Sequence, residues 1–176
     1  MRKSLLIALL SATVVFAQDS VDVQKHKMAA GELKKTLMAQ LKAKLSESPA
    51  SAVEFCSKNA MDITKQIAVK NGLNIKRVSI KNRNPQNAAD AMDAKVMAAF
   101  EEALKKDKKM PEFATVQDAG KIKYYEPLVI SEACVICHGK EASIAKETAD
   151  KIKKLYPNDK AVGYEIGDLR GLIVVW

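Results

Sequence analysis

Cys134-Val135-Ile136-Cys137-His138 constrains this chain more than any other stretch. Two thiols sit three positions apart, and an imidazole follows the second directly. This C-x-x-C-H spacing is the attachment pattern of a c-type haem. Each thiol adds to one vinyl group of the porphyrin, and two intervening residues let one turn of chain reach both vinyls. The next residue then lies under the ring, where His138 can give a nitrogen to the iron. Such a chain needs apolar walls for a flat ring and cationic or hydrogen-bonding partners for its propionates.

Three other readings of the motif remain beside this one. C-x-x-C alone can be a redox dithiol, but that motif usually opens a helix after a strand of a βαβ unit. Here it follows the Pro-containing apolar segment from Tyr124 to Ile130 and precedes Gly139. A zinc site wants four ligands, and only Cys56 and His26 remain to help. A disulfide suits an oxidising compartment but leaves the adjacent His138 unexplained.

The N-terminus bears on the compartment. Arg2 and Lys3 precede the apolar run Leu5 to Phe16, and Val15-Phe16-Ala17 puts small residues where a signal peptidase cuts. Residues 1–17 therefore read as a secretory signal peptide with cleavage before Gln18. The alternative is an uncleaved membrane anchor, for which the apolar run is short, and no stable membrane span is expected after cleavage. Export to the periplasm agrees with the motif, because c-type haem is attached outside the cytoplasm. It leaves one unpaired cysteine, Cys56, in need of a role. The formal charge of +8 falls to about +6 when Arg2 and Lys3 leave. Lysines alternate with glutamates along helices, the pattern of a solvated face rather than a nucleic-acid patch. A basic surface can steer an acidic redox partner.

The remaining 18–176 read as a single domain. Helical periodicity spans Asp19 to Glu47, with Leu33, Leu37, Leu41 and Leu45 as one apolar stripe for the domain or a partner helix. His26 reads as a surface residue. A second helix runs from the Ser48-Pro49 cap signal to about Lys70. Its inward face is Val53, Cys56, Ala60, Ile63 and Ile67, so Cys56 by spacing alone is a small buried thiol. Leu73 to Lys81 reads as a strand. Asn87 is the expected cap of a helix reaching Lys108 that buries Met92, Val96, Phe100 and Leu104; Met92 and Met97 read as core rather than ligands. Glu112 to Gln117 and Lys121 to Leu128 form a hairpin pattern through Asp118-Ala119-Gly120. A further helix spans Ala142 to Leu155. The run Leu172 to Trp176 reads as a strand buried on both faces. Helices in the first half and strands around the motif predict an α+β domain with a small antiparallel sheet.

Several runs together carry a resemblance: Val78 to Asn87, Tyr125-Glu126-Pro127, Cys134 to Gly139, Tyr156-Pro157, and Gly163-Tyr164 through Gly167-Asp168-Leu169-Arg170-Gly171. Over about Met28 to Trp176 the chain resembles the Tll-type family of c-haem proteins. The resemblance implies a PAS-like fold, an antiparallel sheet with flanking helices and a haem attachment loop. It implies one covalent haem c, and redox or gas sensing is the role proposed for the family. It also implies a second axial ligand, a cysteine on an N-terminal helix, which here is Cys56. A thiolate on ferric iron should push the potential down.

Arg77, Arg83 and Arg170 are the candidates for holding propionates, each also fit for a structural salt bridge. Tyr125, Tyr164 and Phe100 are candidates to line the ring or the core. The expected function is a periplasmic monohaem protein, not an enzyme, held by Cys134, Cys137, His138 and Cys56. It would act in redox sensing or small-scale electron transfer with an unassigned redox partner, and could bind a small gas if Cys56 leaves. Two alternatives stand beside it. One is a subunit docked to a membrane complex through the leucine stripe. The other is a haem peroxidase, for which only His26 could serve as distal acid–base group.

Overall fold

The computed structural model describes residues 14–15, 21–118 and 120–176. The expected signal peptide lies outside the described residues apart from Val14–Val15 (β1), which pairs with Val116 and Thr115 at one sheet edge. The other strands are Ile75–Val78 (β2), Ala114–Asp118 (β3), Lys121–Val129 (β4) and Leu169–Val175 (β5). Their order across the sheet is β1-β3-β4-β5-β2, with every pair antiparallel. The expected α+β class is the observed one.

Period-two alternation assigns the two faces of the sheet. On one face Tyr124, Ile173 and Val175 pack against Val21–Glu47 (α1), Pro49–Lys58 (α2) and Ala60–Asn71 (α3), through Leu33, Phe55, Ile63 and Ile67. On the other face Tyr125, Leu172 and Val174 pack against Ala91–Asp107 (α4), through Val96, Met97 and Phe100. β5 lies between β4 and β2 with helices above and below. That explains why its apolar run is unbroken, with Leu172 through Val175 fully buried.

Ser48 caps α2 by accepting from the Ser51 backbone N–H at 3.0 Å, with Pro49 at the first helical position as expected. The helix expected to reach Lys70 unbroken bends at Asn59 (φ −113°, ψ −29°). Asn favours the helix weakly because its side chain competes for backbone groups. The bend stays shallow because Asn59 N–H still reaches Phe55 O and Ile63 N–H still reaches Asn59 O. Gly72 ends α3 in the left-handed region at φ +60°.

Four details differ from the sequence expectations. Asp90, not Asn87, caps α4, and it does so reciprocally with Asp93. Asn87 instead closes a short 3-10 turn, Pro85–Asn87, that Asn84 caps. The motif is not on a loop but on a helix, Glu132–His138 (α5), begun by Ser131 and ended by Gly139. The last helix is shorter than its periodicity suggests, Lys146–Leu155 (α6), because a 3-10 turn at Glu141–Ser143 precedes it. Among the described residues no helix is long and apolar enough to cross a membrane.

Candidate functional site

α1, α2 and α5 do not close completely over the sheet. They leave a cavity of about 430 Å³, within the range of small-molecule and cofactor sites. Leu37, Leu41 and Leu45 line it from α1, Val53 and Cys56 from α2, and Cys134, Cys137 and His138 from α5. Arg77 enters from β2, Arg83 from the loop after it, and Arg170 with Ile173 from β5. Of the leucine stripe, Leu33 is buried in the core beneath α1, and Leu37, Leu41 and Leu45 face this space. Cys56, far from the motif in sequence, shares its cavity.

α5 is held by a strap of chain after α6. Gly163 N–H donates to Gly139 O at 2.8 Å and Tyr164 N–H to His138 O at 3.0 Å. Gly139 has no room for a side chain, because a Cβ there would meet Val135 O at 2.6 Å. His138 Nδ1 lies 2.7 Å from Ala161 O. A carbonyl only accepts, so Nδ1 carries the proton and Nε2 keeps its lone pair. Burial holds His138 well below the usual histidine range, and the charges of Arg83 and Arg170 act the same way. The result is a neutral imidazole of fixed tautomer, the state in which histidine binds a metal.

This burial predicts a pH dependence for the haem-free chain. The unfolded chain takes up a proton near pH 6.5 while folded His138 resists it to lower pH. Stability should fall as the pH drops through about 6.5, by up to ~1.4 kcal/mol per pH unit. Buried His26 adds in the same direction, its basicity also lowered mainly by burial. Urea unfolding at pH 7.5 and 5.5 checks this, and equal midpoints would refute it.

The three arginines are anchored differently. Arg83 is 8% exposed. Its Nη2 donates to Cys137 O at 2.6 Å and Ala161 O at 3.2 Å and pairs with Asp159 Oδ2 at 3.0 Å. It is thus a strut between α5 and the strap. Arg170 Nη1 donates to Ser79 Oγ at 2.9 Å and Lys81 O at 3.2 Å, and its guanidinium lies 5.5 Å from the Tyr164 ring centroid. Arg77 has Met61 Sδ at 3.7 Å as its hydrogen-bonding neighbour. The Nε atoms of all three are buried without a partner. Burial pushes the Cys56 thiol up, and the guanidiniums of Arg77, Arg83 and Arg170 pull it back. Burial likewise raises the Cys137 thiol, opposed by Arg83.

These residues fit a haem. Two thiols one turn apart are of the kind that forms the thioethers, His138 with a free Nε2 lone pair and Cys56 line the same cavity, and guanidiniums on its wall suit carboxylates. The disulfide and zinc readings fit less well, while the dithiol reading gains a helix that follows a strand and leaves His138 unused. All three cysteines are free thiols, and among the described residues no three His, Cys, Asp or Glu side chains cluster as a metal cage.

Other candidates lie elsewhere. Tyr125 does not line the cavity, because its position on β4 turns it to the α4 face beside Val96 and Phe100. Phe100 and Met97 belong to that core, and Met92 packs against it. Tyr164 does not line the cavity either. It stands edge-on to His138 at 6.3 Å between ring centroids, packed with Ile130 and Ala161, and so supports the imidazole. His26 is buried rather than on the surface, away from the cavity wall, because α1 lies flat against the sheet. Asp159 and Ser79, which anchor Arg83 and Arg170, do not stand out in the sequence. Their signal is a polar residue in a turn and a small hydroxyl on a strand, both commonplace.

The solved structure titled "Crystal structure of the cyanobacterial heme-protein Tll0287" is similar to this chain with a TM-score of 0.69. The two share 23% identity over 90% of this chain and 95% of that one. At that identity the likeness carries the fold. No curated protein matches. The family model named Tll0287-like matches residues 6–176, nearly the whole sequence, and on that match the chain belongs to the Tll0287-like family.

Proposed function

We propose that this chain is a periplasmic monohaem c-type protein that senses redox state or carries single electrons, and that it is not an enzyme. The observation that carries the reading is the shared cavity: Cys134, Cys137 and a neutral, tautomer-fixed His138 stand on one wall and Cys56 on another. The bound haem supplies one-electron Fe(III)/Fe(II) chemistry. Cys134 and Cys137 hold its edge, His138 gives Nε2 to the iron, and Cys56 gives its sulfur. The related solved structure is described as that of a heme-protein, which supports the same cofactor. With His138 and Cys56 both on the iron no position on it would stay open, and His26, the acid–base candidate for peroxidase chemistry, is buried away from the cavity. With Leu33 in the core and Leu37, Leu41 and Leu45 on the cavity wall, the stripe is used within the domain, which favours the haem reading over a docked subunit.

Absorption spectra test this on protein matured with haem-attachment machinery in a periplasm. Wild type should retain haem after denaturation and show thiolate-ligated ferric iron. Cys56→Ala should keep the covalent haem, lose the thiolate signature, raise the midpoint potential, and bind carbon monoxide readily once reduced. Loss of haem on denaturing the wild type would remove covalent attachment. Identical spectra for both proteins would remove Cys56 from the iron.

A further inference from the structure

A second cavity, of about 330 Å³, is lined by Tyr124, Glu126 and Pro127 of β4, by Lys27 of α1 and by Met110 before β3. Lys34 and Val129 line both this cavity and the one that holds the motif. Along α1, Lys27 borders the outer cavity, Lys34 borders both, and Leu37 and Leu41 border the inner one. Along β4 the order is the same: Tyr124 and Glu126 outside, Val129 shared, and Ile130 inside. The two cavities therefore lie end to end in the trough between α1 and β4. One rung crosses the trough near their boundary. Lys34 Nζ donates to Glu126 Oε1 at 3.0 Å, and the Tyr124 hydroxyl donates to Glu126 Oε2 at 3.3 Å. The two ends of the rung differ in freedom. The Glu126 side chain is 14% exposed and is held by the phenol, whereas that of Lys34 is 44% exposed on a long flexible stem. An ion pair with one end this open to water is weak and separates readily.

We propose that the outer cavity is the entry chamber through which small uncharged molecules, such as carbon monoxide, reach the haem cavity, with Lys34 as its door and Glu126 as the post on which the door closes. The proposal rests on the haem reading above and applies when the place of Cys56 on the iron is vacant. The walls suit that class of ligand, because Met110, Pro127, Val129 and the Tyr124 ring offer apolar surface to a neutral diatomic. A staple between α1 and β4 needs the same bond but no space on either side of it. Because the obstacle is an ion pair, the passage of a ligand that has no charge acquires a dependence on salt.

The test uses the haem-loaded Cys56→Ala protein in its reduced state, with carbon monoxide as the probe, and follows rebinding after flash photolysis beside thermal melting. The bimolecular rebinding rate should rise with ionic strength although the ligand is neutral. Lys34→Met keeps the stem and removes the charge. It should rebind about threefold faster at low salt, the hold of one weak ion pair, and lose the salt dependence. Glu126→Gln should do the same, and it carries the test if Lys34→Met does not fold. Val129→Trp, which fills the shared wall, should slow rebinding. A plain staple gives a different result, a lower melting temperature with an unchanged rate and no salt dependence, and that overturns the proposal. Entry past Asn82 and Asn84 on the inner wall leaves all three variants at the parent rate and overturns it too. A Cys56→Ala protein that binds no carbon monoxide removes the reading of Cys56, a failure visible before Lys34 is changed. Xenon pressed into crystals of the ferric wild type then decides the chamber by itself: occupancy between Tyr124, Pro127 and Val129 supports it, and an empty space there overturns it.

Discussion

Arg83→Ala is expected to lower stability by about 3–5 kcal/mol, the cost of breaking a buried ion pair from one side. The loss is large because three acceptors lose one donor together. Asp159, with a side chain 10% exposed, loses its ion pair and is left with the Ala161 N–H that donates to its Oδ1 at 2.8 Å. Cys137 O and Ala161 O also lose the Nη2 hydrogen. At ~2–4 °C per kcal/mol for a chain of this size, the melting temperature should drop by roughly 10 °C. The consequence for the site runs through Ala161, whose carbonyl holds His138 Nδ1. With the strap loosened, the imidazole loses its fixed tautomer, and the ferric spectrum should become heterogeneous even where haem remains attached. Arg83→Ala with Asp159→Ala should cost less than the sum of the two single changes, because the second removes the orphaned charge. Melting curves of the four proteins decide this, and strict additivity would show that the pair is not coupled.

Gly171→Ala is expected to have the next largest effect. Gly171 lies on β5 against β2, and a Cβ there would press on the Val78 carbonyl oxygen and lie 3.3 Å from Ser79 Cβ. The obstacle is backbone of a neighbouring strand, which cannot rotate away. Relief requires β2 and β5 to separate, at a cost toward the upper end of the ~1–3 kcal/mol typical of overpacking. The same separation moves Arg77 away from its place opposite Ile173 and strains the Ser79–Arg170 bonds. Haem retention should therefore suffer along with stability. Gly31→Ala is the control. It lies within α1 with nothing inside 4 Å of the new Cβ, and should stabilise by roughly 0.5–1 kcal/mol. Equal melting temperatures for Gly171→Ala and wild type would refute the argument.

The fold and the motif were legible in the sequence to different depths. Elements whose burial repeats at a fixed local period were readable: the leucine stripe of α1, the inward face of α2 and α3, the hairpin of β3 and β4, and the apolar run of β5. Each is a property of neighbours along the chain, so a window of residues contains it. C-x-x-C-H was readable for the same reason, since its chemistry fits within one turn. The bend at Asn59 and the true cap of α4 were harder, because a cap is chosen by which side chain meets a free N–H. Asp90 and Asn87 compete on nearly equal terms until the loop before α4 is fixed.

What the tertiary structure alone decided is the other half of the site. Spacing placed Cys56 on the core side of its helix, and the family resemblance pointed to the iron. Only the packing of α1 and α2 over the sheet gives it a cavity shared with His138. The residues sorted themselves by sheet face and loop closure. Tyr125 went to the α4 core because β4 presents alternate residues to opposite sides. Arg83 became a strut because the strap after α6 folds back onto α5. Arg77 came to line the cavity, beside the Met61 sulfur, because β2 packs at the sheet edge under α2 and α3. Sequence determines what each side chain can do, since chemistry and local period belong to the residue and its neighbours. Which of those capacities is used depends on distances between segments far apart in the chain, and those are set when the sheet and its helices pack.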